Sequence, residues 1–152
     1  MKIVILGTAY PYRGGLATFN ERLARQFQAE GHDVEVVTFT LQYPSFLFPG
    51  KTQYSNEVAP TDLRIKRWVN SCNPFNWVSV GRKIRKMQPD MLITCYWMAF
   101  FAPCYGIIER IVKGNGKTRC LALVHNMIPH EPSLLDKLFA PFYVKSTDGF
   151  VA

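Results

Sequence analysis

The sequence predicts an α/β domain of three layers, with helices on both sides of a mostly parallel sheet of about six strands. Short apolar runs alternate with longer segments of helical period along the whole chain. The first run, KIVIL at 2–6, is β-branched and apolar beyond its first residue, as a strand buried on both faces of a parallel sheet would be. Glycine, proline and asparagine stand at the boundaries between the two kinds of segment. Strands alternating with helices imply right-handed βαβ units.

Each element follows in order. Gly7 closes the first strand, and a loop with Pro11, Gly14 and Gly15 leads to a helix over 16–30. Its helical period puts Leu16, Phe19, Leu23, Ala24 and Phe27 on the inward face. Gly31 is its C-cap, and VEVVTF at 34–39 is the second strand. Residues 40–62 hold Pro44, Pro49, Gly50 and Pro60; a connection this long inside a compact domain is functional or mobile. The alternating run 63–68 is a third, more exposed strand. Asn73-Pro74 reads as an N-cap followed by a first-turn proline. It opens a helix to about residue 87, with Trp77, Val80, Ile84 and Met87 inward. Pro89 ends that helix, and DMLITC at 90–95 is the fourth strand. Residues 97–113 form an apolar helix bent at Pro103. The apolar stretch 95–108 is shorter than the roughly 20 residues that span a bilayer, and Glu109-Arg110 end it. After a turn at 114–116, 119–124 is the fifth strand and 125–132 a loop. Ser133 caps a helix over 134–145, and 148–152 begins a sixth strand that is expected to continue into further chain.

Hydrophobic residues make up 48% of the chain, enough for a core and against extensive disorder. Lys and Arg number 18 against 11 acids, a formal charge of +7. That excess favours an anionic partner: phosphate, nucleic acid or an acidic membrane surface. Cys72, Cys95, Cys104 and Cys120 have neither zinc-ligand nor redox spacing, so reduced structural thiols are expected. Met1-Lys2 runs straight into a strand, without the apolar core of a signal peptide. The expected location is the cytoplasm, peripherally at the inner face of the plasma membrane.

In open α/β sheets, ligands sit beyond the carboxyl ends of the strands. The first such place is Pro11-Tyr12-Arg13-Gly14-Gly15, at a helix start whose free amides and dipole suit an anion. From spacing alone the glycines serve either a tight turn of positive φ or the close approach of an anion. Neither G-x-G-x-x-G nor a Walker A pattern is present. The second is His125-Asn126-Met127-Ile128-Pro129-His130-Glu131. An imidazole at 125 either caps the strand end or binds a hydroxyl or phosphate and relays a proton. His130 and Glu131 either position the following helix or reach a ligand; no metal is expected, since these are loop residues rather than two ligands on one helical face. The third is Arg82, Lys83, Arg85 and Lys86, which form either a solvated face or a patch for anionic lipid. Aromatics within 43–48 would add an apolar insertion. No recognised nucleic-acid module appears, so nucleic acid is not an expected partner.

Taken together, these residues resemble the opening of GT-B glycosyltransferases, most closely the large retaining family 4. The likeness rests on the first strand leading to Pro11 and Gly14-Gly15, the Gly31-His32-Asp33-Val34 strand entry, Gln88-Pro89-Asp90 before the fourth strand, and VHNMIPHE closing the fifth. It implies that residues 1–152 are the N-terminal, acceptor-side, Rossmann-like half of a two-domain enzyme. The donor-binding domain, with its paired glutamates, would lie outside this chain. It also implies a UDP- or GDP-linked sugar as donor substrate, a carbohydrate or lipid-linked acceptor, and no cofactor. Gly14, Gly15 and Arg13 would approach the donor diphosphate. His125 would lie by the transferred sugar as the catalytic candidate, with Asn126, His130, Glu131 and Tyr96 toward the acceptor. Two other readings stay open: an acceptor-side, membrane-docking subunit of a two-chain transferase, and an unrelated Rossmann-like nucleotide-binding domain.

Overall fold

β1 (Lys2–Leu6) takes the middle of the sheet because residues 3–6 are apolar without interruption and need cover on both faces; all four side chains are fully buried. The computed structural model describes residues 1–44, 53–125 and 134–152, apart from the Leu135 side chain. After β1 come α1 (Gly15–Ala29), β2 (Asp33–Leu41), β3 (Ile65–Asn70), α2 (Pro74–Met87) and β4 (Met91–Tyr96). A 3-10 turn (Ala99–Phe101), α3 (Ala102–Lys113), β5 (Arg119–Val124), α4 (Leu134–Ser146) and β6 (Gly149–Val151) complete the order. The sheet runs β3-β2-β1-β4-β5-β6 with every pairing parallel. The order reverses between β1 and β4, and that switch point opens a crevice at the carboxyl ends of both strands.

Strand alternation sorts the core into two layers. Ile3, Ile5, Val34, Val36, Ile93 and Cys95 face Ala24 and the flanking Leu23 and Phe27 of α1. Val4, Leu6, Val37, Phe39 and Leu92 face α2, α3 and Tyr143 of α4. The three-layer expectation therefore holds.

The helix ends follow their local chemistry. Asn73 Oδ1 accepts from the amides of Phe75 and Asn76 and starts α2 with Pro74 in its first turn. At the end of α1, Gly31 (φ 90) lets the amide of His32 reach Phe27 O at 3.0 Å, which satisfies a terminal carbonyl. Ser133, expected to cap α4, lies outside the described residues.

Four expectations need correction. The buried residues of α1 are Ala17, Asn20 and Ala24, while Phe19 is 44% exposed, because the first turns of α1 pass close over the loop after β1 and need small side chains there. β3 starts two residues later than the alternation suggested, since pairing begins at Val36 with Ile65 and Leu63 packs into the core ahead of it. Pro103 does not bend a helix; it lies in the first turn of α3, where its missing N–H leaves nothing unpaired. Glu109 does not end an apolar run at the surface but is fully buried. Its carboxylate accepts from Thr94 Oγ1 (2.9 Å), Ser146 Oγ (2.6 Å) and Thr147 Oγ1 (2.9 Å), which ties β4, α3 and the end of α4 together.

Cys95, Cys104 and Cys120 are buried, Cys72 is exposed, and all four are free. Burial pushes the Cys95 thiol up to about 12, so it stays protonated and packs as an apolar group. No helix of the described residues is long and apolar enough to cross a membrane.

Candidate functional site

The loop after β1 is fastened from three sides. Gly7 N donates to Val37 O (3.1 Å) and Ala9 N to Thr38 Oγ1 (3.1 Å), both on β2. Asn20 Nδ2 and Glu21 Oε1 of α1 hold Thr8 O and Tyr10 N, each at 2.8 Å. On the outer side, Arg13 N donates to Gln53 O (2.9 Å) and Ser55 N to Pro11 O (2.7 Å). Tyr12 and Tyr54 stack at 5.4 Å, with the Arg67 guanidinium 5.7 and 5.9 Å from their rings. The turn that follows is thus preorganised rather than free to wander.

That turn separates the two glycines. Gly14 has φ 117, a conformation that disfavours any side chain, and it precedes α1 without a side-chain cap. Gly15 is the first residue of α1 and lacks such a φ. A Cβ built on either residue meets nothing within 4 Å. Backbone conformation therefore accounts for Gly14, and nothing within the described chain accounts for Gly15. The start of α1 presents amides that have no partner within the helix, and the positive end of the helix dipole, to that side. A recess of about 110 Å³ beside it is lined by Tyr10, Arg13, Gly14, Thr18, Glu21 and Glu57, among others. Its two carboxylates suit hydroxyls or cations better than phosphate, so an anion fits in front of the helix rather than inside the recess.

His125 directly follows β5, and its amide donates to Tyr96 O at 2.9 Å, the last carbonyl of β4. Its ring meets Phe19 edge-on at 5.2 Å, which places it beside the first turns of α1. Partial burial there holds the imidazole below its ordinary pKa, so it is neutral at pH 7 and can accept a hydrogen bond. The structure thus brings His125 and the Gly14–Gly15 helix start to one rim of the crevice.

Other candidates are placed elsewhere. Tyr96 is only 2% exposed and stacks on Tyr143 at 4.7 Å and 9°, within the core beneath α3 and α4. Burial pushes its phenol up to about 12. Even strand positions of β4 face that layer, so the Tyr96 side chain turns away from the rim and does not meet an acceptor there. Asn126, His130 and Glu131 lie outside the described residues. Arg82, Lys83 and Lys86 are exposed on α2, but Arg85 turns to Gly114 O at 3.0 Å. Tyr43 packs on Trp97 (6.4 Å) instead of standing free, and 45–48 lie outside the described residues. Among the described residues, no group of three His, Cys, Asp or Glu side chains could hold a metal ion. Glu21, Tyr54 and Arg67 were missed by sequence reasoning. Glu21 carried a faint signal, an acid about one and a half turns into the helix behind the glycines, whereas Tyr54 and Arg67 join only through long-range pairing.

An all-parallel sheet in this order, with a glycine turn into the first helix at the switch point, defines a Rossmann-like domain. Residues 13–152 match Glycosyltransferase Family 4, and the chain belongs to that family. Two solved structures share the fold. One is an alpha-glucosyltransferase in complex with UDP and a 13-mer DNA containing a central A:G mismatch, at 16% identity and a TM-score of 0.57, over 99% of this chain and 36% of that one. The other is an alpha-glucosyltransferase in complex with UDP and a 13-mer DNA containing a HMU base, at 16% identity and 0.55, over 97% and 36%. The chain spans about a third of the length of these structures, and its fold is that of a GT-B type domain. No curated protein matches it in sequence.

Proposed function

We propose that this chain is the acceptor-side half of a retaining, nucleotide-sugar-dependent glycosyltransferase. The donor is a UDP- or GDP-linked sugar and the acceptor a carbohydrate of the cell envelope, lipid-linked or polymeric. The observation that carries this is Gly15: its missing side chain answers no need of the described residues, and it opens a helix start next to open space among them. A donor diphosphate seated there receives the amides of the first turn and the helix dipole, with Arg13 beside it. As the sugar leaves, charge grows on the diphosphate, and those fixed dipoles stabilise it most when it is largest. Neutral His125, held on the same rim, accepts a hydrogen bond from a hydroxyl of the transferred sugar and orients it. The second wall of the diphosphate site belongs to the donor domain, so this chain alone holds phosphate weakly.

A screen of UDP- and GDP-sugars on the full-length protein, read by release of nucleoside diphosphate, tests the reading. Gly15→Ala in that protein should lower kcat/KM roughly 100-fold, the scale of losing oriented donors, with the urea midpoint unchanged. Absence of both turnover and binding for every donor would overturn it, as would a large loss of nucleotide-sugar affinity on Gly15→Ala in the isolated chain.

A further inference from the structure

The solvent face of α2 carries Phe75, Val78, Ser79, Arg82, Lys83 and Lys86 in one stripe, three and four residues apart. α2 contains no acidic residue, and none of the six ion pairs among the described residues involves Arg82, Lys83 or Lys86. Some cations elsewhere are neutralised locally: Arg64 and Lys66 share Glu35, Lys113 holds Asp148, and Lys117 holds Asp90. Other cations, Arg22, Arg119, Lys137 and Lys145 among them, also form none of these ion pairs, but α2 sets Arg82, Lys83, Arg85 and Lys86 within five positions with no acid on the helix. At its head Phe75 is 88% exposed, a placement that costs free energy in water. Beside the stripe the Trp68 indole lies between two ammonium groups, Lys66 and Lys83 Nζ each 5.0 Å from its centre.

We propose that this face of α2 docks on an anionic lipid bilayer. Phosphate headgroups accept Arg82, Lys83 and Lys86, while Phe75 and Val78 enter the acyl boundary, which removes the apolar exposure and the uncompensated charge together. A nucleic acid would take the cations but leave Phe75 in water, so the bilayer fits more of the surface. α2 begins at Pro74 after a short turn from the end of β3, so Phe75 stands at the carboxyl edge of the sheet, the edge that holds Gly14 and His125. Docking therefore lays the bilayer along α2, whose Phe75 end lies toward the rim of the crevice. This inference does not depend on sugar transfer, since binding is read without donor or acceptor.

The test is co-sedimentation of the chain with phosphatidylcholine vesicles, with or without roughly one third phosphatidylglycerol, in about 0.1 M salt, where screening leaves only nearby charges effective. Binding is expected to the anionic vesicles alone. Arg82→Glu, Lys83→Glu and Lys86→Glu together should weaken it at least roughly 100-fold. Phe75→Ser should weaken it about ten-fold. Lys137→Glu with Lys145→Glu, on exposed positions of α4, should leave it unchanged. All these positions are exposed, and urea midpoints check that each variant is folded. Failure to bind anionic vesicles overturns the proposal, and so does binding that survives the triple reversal. Tighter binding to duplex DNA than to vesicles, equal for wild type and Phe75→Ser, overturns it in favour of nucleic acid.

Discussion

The His125 imidazole lies edge-on against the Phe19 ring, their centres 5.2 Å apart at 86°. The contact joins the end of β5 to α1 and explains why an apolar side chain sits 44% exposed at that point of the helix. Phe19 withdraws the imidazole from water, which disfavours its charged form and lowers its pKa. The folded state then prefers the neutral ring. The group contributes stability above its unfolded pKa of 6.5, and that contribution is lost as pH falls through the lower folded value. An NMR titration should place His125 below 6.5 and move it upward in Phe19→Ala. An unmoved value would assign the shift to some neighbour other than Phe19.

Glu109 carries the opposite sign. Burial outweighs its three hydroxyl donors and raises its pKa above the ordinary 4.5. For an acid raised in this way the folded state binds its proton more tightly, so the cost of ionisation is fully present above the folded pKa and vanishes below 4.5. Glu109→Gln keeps an acceptor without the charge. Measured by urea unfolding, wild type should therefore gain on Glu109→Gln as pH falls toward 4.5. Glu109→Ala strands Thr94, Ser146 and Thr147 and should cost about 3 kcal/mol at pH 7.

Arg85 and its neighbours on α2 should separate cleanly. Arg85 Nη2 donates to Gly114 O just past α3, where the carbonyl end of the helix dipole favours a cation. Arg85→Ala should lower stability by about 0.5 kcal/mol and leave vesicle binding nearly intact. Lys83→Ala should do the reverse. Equal effects of the two on either readout would remove the distinction.

The sheet was legible because its strands are short, largely apolar and punctuated by glycine, proline and asparagine, and their alternation with helices implies parallel pairing, whereas the strand order comes only from the fold. The helix faces were less so. Periodicity favours large apolar residues, but α1 lies so close to the β1 loop that Ala17, Ala24 and a hydrogen-bonding Asn20 fill the contact. Nothing in a single sequence announces that close approach. Glu109 misled for the same reason: its three partners come from 94, 146 and 147, and only the fold gathers them. At the crevice, glycine spacing pointed to the helix start but did not divide Gly14 from Gly15. Tyr96 was drawn to the rim by its place at a strand end, although strand parity turns its side chain inward.

Three glycines along this loop should respond to alanine in three different ways. At Gly7 a Cβ would lie 2.7 Å from the Cβ of Cys95 and 3.1 Å from Asn20 Nδ2. Cys95 belongs to β4, hydrogen-bonded on both sides within the sheet, so it does not yield as a flexible side chain would. Gly7→Ala should cost about 2–3 kcal/mol. Cys95→Ala should relieve only a small part of it, because it removes the Sγ contact at 3.1 Å but leaves the closer Cβ, whereas Cys95→Gly should restore more of the loss on that background. Gly14→Ala meets open space but must hold φ 117, a strain of about 1–2 kcal/mol. Gly15→Ala meets neither obstacle and should stay within about 0.5 kcal/mol of wild type. Urea unfolding of the three variants checks the order. A costly Gly15→Ala would mean that the fold itself needs that glycine, and it would remove the main support for a ligand pressed against the start of α1.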